Sequence, residues 1–256
     1  MPTKTPFTLA ILAKNEEKNI ENCIKSFADI TDDVLVLDDE STDATAPLAQ
    51  ATGARVAKAP KTISFAARRN ECLRLAKYDW VLFIDADERP DNKLVAWLSR
   101  FERKGRIAAY RISRVDRFWN TELKRGEVAS AYSNGITRLV DRKFAKFEGI
   151  VHEDARLLQG FKSAKSGGVI EHFPHETVSE FIRDINCYST LRADELLYKK
   201  SVSRIIFEMI VYPPSKFWYT YLIRGGFLDG AAGFAYSFLM AFHSFLVRAK
   251  LLAKTT

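Results

Sequence analysis

The segment Asp85-Ala86-Asp87-Glu88 sets alternating carboxylates at the end of an apolar run, Trp80-Val81-Leu82-Phe83-Ile84, that reads as a buried strand. Carboxylates one residue apart repel one another unless a cation is near. A hard divalent ion such as Mg²⁺ or Mn²⁺ takes carboxylate oxygens and keeps positions for phosphate, so the pattern suits a metal that holds a diphosphate. A polar loop capping a strand is the plainer alternative. Two more acidic clusters close apolar runs in the same way: Asn15-Glu16 follows Phe7–Ala13, and Asp38-Asp39 follows Val34–Leu37. Ligands of an open parallel sheet bind beyond the carboxyl ends of its strands, so the three clusters converge on one crevice. The turn Ala13-Lys14-Asn15-Glu16-Glu17 contains no glycine, which argues against a dinucleotide fold and its Gly-rich phosphate turn.

The elements that must position these acids follow from hydrophobic periodicity. Strands are expected at Phe7–Ala13, Val34–Leu37, Arg55–Ala57 and Trp80–Ile84, and helices at Glu17–Phe27, Ser64–Lys77 and Asp91–Phe101, with a further helix between Asp43 and Gly53. Ile20, Cys23, Ile24 and Phe27 form one apolar face suited to covering a sheet. Beyond Arg106 the pattern changes to alternating segments, Ala108–Val115, Gly135–Val140 and Ser163–His172, as in a mixed or antiparallel extension. Thr177–Lys200 reads as a long helix, and Pro213-Pro214 as a break after it.

At 256 residues and 47% hydrophobic content the chain can bury the core of one large α/β domain. The net charge of +7 is largely a property of the tail: from Lys199 onward eight Lys and Arg face two acids, and the same stretch holds 12 aromatic residues. Basic and aromatic residues on apolar helices suit an anionic membrane surface, and no segment of the body reads as a nucleic-acid binder. Gly230–Val247 is free of formal charge over 18 residues, at the lower edge of a bilayer span. Its Ser237, Ser244 and Arg248 share one helical face and Phe234, Phe238, Phe242 and Phe245 another, which favours an interfacial or oligomerising helix over a buried or spanning one. The thiols Cys23, Cys72 and Cys187 have no metal or disulfide spacing and read as core residues in a reducing compartment. The run Phe7–Ala13 is too short for a signal peptide and meets Lys14 and Glu16 at once. His172 and His175, near a strand end, read as satisfied polar residues rather than metal ligands.

The combination of strand-one Asn-Glu, Asp38-Asp39-Glu40-Ser41-Thr42-Asp43, Arg69-Asn70 and Asp85-Ala86-Asp87-Glu88 resembles the family 2 glycosyltransferases of the GT-A fold. It carries Glu40 where that family often has glycine. Val151-His152-Glu153, Phe227-Leu228-Asp229-Gly230 and Lys250-Leu251 further resemble the bacterial glucosyltransferases that extend the lipopolysaccharide inner core. The resemblance implies an α/β GT-A mixed sheet with a C-terminal helical, membrane-associating segment: residues 1–200 as the transferase domain (1–105 for the nucleotide sugar, 106–200 for the acceptor) and 201–256 as a basic aromatic tail. It also implies an inverting, metal-dependent transfer of a hexose, glucose from UDP-glucose, to a membrane-borne acceptor, with a polyprenyl phosphate as the alternative acceptor. Asn15, Glu16, Asp38, Asp39, Arg69, Asn70 and Asp85 would face the nucleotide, and Asp87, with Asp85, would hold Mg²⁺ or Mn²⁺. Glu153 would be the base, with His152 orienting it and Asp154 as the neighbouring candidate, and Arg117, Trp119 and Arg125 would line the acceptor side. The partners implied are a UDP-hexose, a lipid-linked glycan, an anionic membrane and, through the C-terminal helices, a second copy. The location implied is the inner face of a bacterial cytoplasmic membrane, reached from the cytoplasm. A silent nucleotide-sugar-binding scaffold and a nucleotidyltransferase are the rival classes.

Overall fold

A computed structural model describes residues 5–62, 64–149, 154–175, 177–197 and 201–255. Its first half alternates strand and helix: β1 (Phe7–Ala13), α1 (Ile20–Lys25), β2 (Asp33–Asp38), α2 (Thr45–Ala51), β3 (Arg55–Lys58), α3 (Phe65–Leu75) and β4 (Trp80–Asp85). β1 and β4 are buried almost throughout, as near-continuous apolar runs must be when helices cover both faces of a parallel sheet. Alternate residues serve opposite layers. Leu9, Ile11, Leu82 and Ile84 pack with α1 and with Leu94 and Leu98, whereas Ala10, Leu35, Leu37 and Phe83 pack with Ala66, Cys72 and Leu73 of α3.

Register does the positioning. β1 pairs in parallel with β2 on one side and β4 on the other, with Ala13 opposite Asp38 and Leu12 opposite Asp85. The acidic ends of the three strands are therefore level with one another. The chain continues through β5 (Glu88–Pro90), α4 (Asn92–Leu98), β6 (Ile107–Phe118), β7 (Thr121–Leu123), α5 (Ala129–Asn134), β8 (Ile136–Asp141), β9 (Ala145–Glu148), β10 (Asp154–Leu157) and β11 (Lys162–His172). The large sheet runs β3-β2-β1-β4-β8-β6-β11-β5, with β7 paired to β6, and β9 with β10 forms a two-stranded sheet. β8 is antiparallel to β4, and β11 is antiparallel to β5 with His172 opposite Glu88.

Two compact units emerge. The first runs to Arg114 and resumes over Ser133–His172; the second comprises Val115–Tyr132 and the chain from Phe173 onward. The second unit holds α6 (Val178–Leu196), α7 (Val202–Trp218) and α8 (Gly230–Thr255) around Phe118, Leu123, Phe181, Ile185 and Leu239. α8 turns Gly233, Ser237, Ala241 and Ser244 inward and leaves Phe234, Phe238 and Phe245 exposed, the facial division its sequence implies. Pro213-Pro214 does not break the chain: both lie inside α7, which gives way to a wider π-helical turn at Tyr219–Ile223. Cys187 is exposed on α6, two residues from the buried positions Ile185 and Ser189, so only Cys23 and Cys72 are core thiols. Burial pushes both of these up to about 12.

Candidate active site

The Asn15-Glu16 turn and the Asp38–Thr45 turn are joined by their own hydrogen bonds. Asn15 N donates to Ser41 Oγ at 3.0 Å, Thr42 N to Asn15 Oδ1 at 2.8 Å, and Glu16 N to Thr45 Oγ1 at 2.7 Å. Asn15 therefore spends its side chain on the neighbouring turn, and its left-handed backbone (φ 56°) is one that asparagine tolerates. Glu40 also has positive φ, 57°, so the turn keeps a glycine-like conformation without a glycine. Asp38 and Asp39 divide. Asp39 is paired with Arg68 at 2.9 Å and Lys14 at 3.4 Å. Asp38 accepts from Ser41 N at 3.2 Å through Oδ2, while its buried Oδ1 has no donor among the described residues. A buried carboxylate oxygen without a donor is costly to keep, so it is a ready acceptor for a ligand N–H.

The Asp85–Glu88 turn is held from beneath. Arg138, buried on β8, reaches Asp85 Oδ2 at 2.8 Å and Glu88 Oε1 at 2.6 Å with the same Nη2, and Glu88 Oε2 accepts from Asp85 N at 3.0 Å. Burial would raise Asp85, but the charge and hydrogen bond of Arg138, aided by Arg69 and His172, pull it well below the usual carboxylate range. Glu88, fully buried, is raised by that burial, which Arg138 offsets only in part. Glu16 is raised as well, by burial first and then by the negative charges of Asp87, Asp85 and Asp43, against the hydrogen bond from Asn19. The ends of β1 and β4 thus share one negative field.

Asp87 lies across from a residue 85 positions later in the chain: His172 Nε2 is 3.1 Å from its Oδ2. The β5–β11 register brings the two together. Among the described residues no three His, Cys, Asp or Glu side chains converge as a closed metal site. One carboxylate and one imidazole, with remaining positions left to phosphate and water, is a donor set open to Mn²⁺, whereas Mg²⁺, which prefers oxygen, would rely on the Asp87 carboxylate with substrate and water. Asp85 enters such a site with one oxygen already given to Arg138.

On α3, Arg69 stands over the rings of Phe83 and Phe147, 5.1 and 5.4 Å from their centroids, near enough to Asp85 for its charge to act there. Asn70 does something else. Its Nδ2 donates to Phe147 O and its Oδ1 accepts from Phe147 N, both at 2.9 Å, so its amide clamps β9 to α3. His152 and Glu153 lie outside the described residues. Of Asp154 the backbone is described, paired with Glu148 in β10. In the second unit, Arg117 is paired with Glu122 at 2.9 Å, Trp119 sits half-exposed at the β6–β7 turn, and Asp229 accepts from Lys124 N and Arg125 N at 3.1 and 2.9 Å. The Phe227-Leu228-Asp229-Gly230 motif is thereby a fastening within that unit.

A family model described as Glycosyl transferase family 2 matches residues 8–158. The chain is a family 2 glycosyltransferase. That match spans every strand end bearing the acids described above, and the α/β mixed sheet is the GT-A arrangement. This glycosyltransferase is 31% identical to an uncharacterized glycosyltransferase of Rickettsia bellii (strain RML369-C), over 94% of this chain and 84% of the other. It is 27% identical to the lipopolysaccharide core biosynthesis glycosyltransferase LpsC of Rhizobium meliloti (strain 1021), over 98% and 93%. A solved structure of glucosyl-3-phosphoglycerate synthase from Mycobacterium tuberculosis, in complex with Mn²⁺, UDP and phosphoglyceric acid, aligns over 54% of this chain and 56% of that one, with 23% identity and a TM-score of 0.41.

Arg138 lies outside the motif reading, Glu88 stands within the acidic motif but was given no role of its own, and His172, read from the sequence as a satisfied polar residue, is placed against Asp87. Glu88 was adjacent to the acidic pair and could have been suspected as a buried counter-charge. Arg138 and His172 had no local signal, because both reach the site through antiparallel pairings that close loops of about 50 to 85 residues.

Proposed function

We propose that this glycosyltransferase moves glucose from UDP-glucose, with inversion, onto a membrane-borne acceptor of the lipopolysaccharide core, working from the cytoplasm on the inner face of the bacterial cytoplasmic membrane. The observation that carries the donor side is the Asp87–His172 pair beside the shared negative field of Glu16 and Asp85. A diphosphate could enter that field only with a divalent ion. Asp87 would hold Mg²⁺ or Mn²⁺, with His172 as a second ligand where the ion is Mn²⁺, and the ion would supply charge neutralisation of the departing diphosphate. Asp38 Oδ1 would accept the uracil N–H, Asp85 would offer its free oxygen to the ribose, and Arg69 would add positive charge on the nucleotide side. The acceptor assignment draws on the similarity to LpsC along nearly the whole of both chains.

In the proposed reaction Glu153 takes the proton of an acceptor hydroxyl as its oxygen forms a bond to the anomeric carbon. The bond from that carbon to the UDP oxygen breaks on the opposite face, and UDP leaves with the bonding pair. His152 orients the base. The test is calorimetric titration with UDP: binding with Mn²⁺ present, lost in EDTA and in Asp87→Ala, supports the donor site. Full binding or turnover in EDTA would sink it. Glu153→Gln is expected to lower the rate by about 10²-fold or more with UDP affinity nearly unchanged. If Asp154→Asn behaves so and Glu153→Gln does not, the base is Asp154.

A further inference from the structure

α7 is inverted in polarity for a helix on a water-facing protein surface. The residues it buries are Ile205 and Glu208, and Glu208 meets Arg204 at 3.1 Å and Arg248 of α8 at 3.6 Å. Arg248 in turn lies over the ring of Tyr212 at 4.3 Å and donates to Ser244. Of the charged groups of α7, Glu208 is thus turned toward α8, while Arg204 stays largely exposed. The outward side of α7 carries Phe207, Ile210, Val211 and Trp218, spaced i, i+3, i+4 and i+11, and the following π-helical turn continues with Ile223. Phe207, Ile210 and Ile223 are 64, 67 and 77% exposed. A helix in water turns its apolar stripe to the core and its charges outward. Reversal of that order is expected where the surroundings are less polar than the helix's own neighbours.

From this inversion we infer that the outer face of α7 and its π-helical extension form a membrane-docking surface that inserts into the interface of an anionic phospholipid bilayer. Three features select lipid over a protein partner. The aromatic end of the stripe, Trp218 and Tyr219, is exposed and lies close in sequence to Arg224, a combination that suits the headgroup level, while Lys216 is engaged with Glu127 at 3.2 Å. Eight Lys and Arg against two acids from Lys199 onward give the surrounding segment the sign that anionic lipids attract. Pro213 and Pro214 have no N–H, so the carbonyls of Met209 and Ile210 lack helical donors and need water or headgroups within reach. That last feature sets the depth: the face lies in the headgroup and upper acyl region and does not cross the hydrocarbon core. The inference rests on the proposed membrane-borne acceptor only for its purpose, since docking itself needs neither donor nor acceptor.

The experiment is co-sedimentation of the full chain with vesicles of phosphatidylcholine alone or with 30% phosphatidylglycerol, comparing wild type with Phe207→Ser/Ile210→Ser/Trp218→Ser. These side chains are exposed, and unchanged helical circular dichroism with an unchanged urea melt confirms that the variant is folded. Wild type should partition at least tenfold more strongly into the anionic vesicles than the triple variant does. Vesicles brominated near the headgroup should quench Trp218 emission, measured as the difference between wild type and Trp218→Phe, more than vesicles brominated near the chain ends. Equal partitioning of the two proteins overturns the inference. So does a wild-type protein that ignores vesicles but sediments as a dimer dissociated by the triple substitution, which would assign the face to a second copy. Docking without sugar transfer to a core acceptor would leave this inference standing and remove the acceptor reading instead.

Discussion

Arg138 answers a problem that Glu88 creates. A fully buried glutamate at the end of a strand needs a cation, and the only guanidinium bonded to both Glu88 and Asp85 among the described residues is that of Arg138. Removing one partner of a buried ion pair leaves an uncompensated charge, so Arg138→Met should cost about 3–5 kcal/mol in a urea melt. Arg138→Met/Glu88→Met should recover most of that loss, because an apolar pair of similar volume often replaces a buried ion pair at little cost. If the single substitution melts like wild type, Arg138 does not carry the turn. Glu40 poses a smaller test. A non-glycine residue at φ 57° bears a left-handed penalty, so Glu40→Gly should raise stability by about 0.5–1 kcal/mol even after the extra chain entropy of glycine. The acids themselves were legible in the sequence because each ends an apolar run. Their partners were not, since Lys14, Arg68, Arg138 and His172 declare themselves only once strands are paired. Asn15 and Asn70 show the reverse: both sit in the right motif, and both are engaged with backbone.

At the scale of elements, the strand that delivers His172 depends on a close approach to α4. Gly168 of β11 has φ 74°, and a Cβ there would fall 2.1 Å from Leu94 N and 2.5 Å from Asp91 Oδ1. That carboxylate caps α4 through Leu94 N at 2.7 Å and also accepts from Val169 N at 2.9 Å, so one side chain joins the helix start to the strand. Gly168→Ala should therefore destabilise the protein by more than about 2 kcal/mol and weaken Mn²⁺-dependent UDP binding by displacing His172. A variant with wild-type melting and binding would show that β11 can shift freely. The long amphipathic helices and the parallel strands were readable because periods of 3.6 and 2 persist over enough residues. β5 and β7, at three residues each, are too short to show a period and exist through their pairings with β11 and β6. The Pro pair misled for a related reason. Proline predicts the loss of two hydrogen bonds, but not whether the packing of α7 on α8 sustains the helix across the gap.

For the whole molecule, composition foretold a basic, aromatic C-terminal region but not that Val115–Tyr132 joins it in one compact unit. That membership depends on Phe118, Leu123 and Val128 packing with Phe181, Ala232 and Leu239, contacts between segments more than 50 residues apart. The donor residues proposed here that the structure describes, Asp38, Arg69, Asp85, Asp87 and His172, belong to the first unit, and the inverted face of α7 belongs to the second. A ligand stabilises the conformation that carries its contacts, by about 2.7 kcal/mol when present at a hundredfold excess over its dissociation constant. Amide hydrogen exchange should therefore separate the two functions. UDP with Mn²⁺ should slow exchange in the turns after β1, β2 and β4 and at the end of β11, and this protection should vanish in Asp87→Ala. Anionic vesicles should slow exchange around Met209–Ile223, where two prolines and a π-helical turn weaken the helical hydrogen bonding, and should do so equally in Asp87→Ala. Vesicle protection that disappeared with Asp87, or UDP protection centred on α7, would show that the assignment of one ligand to each unit is wrong.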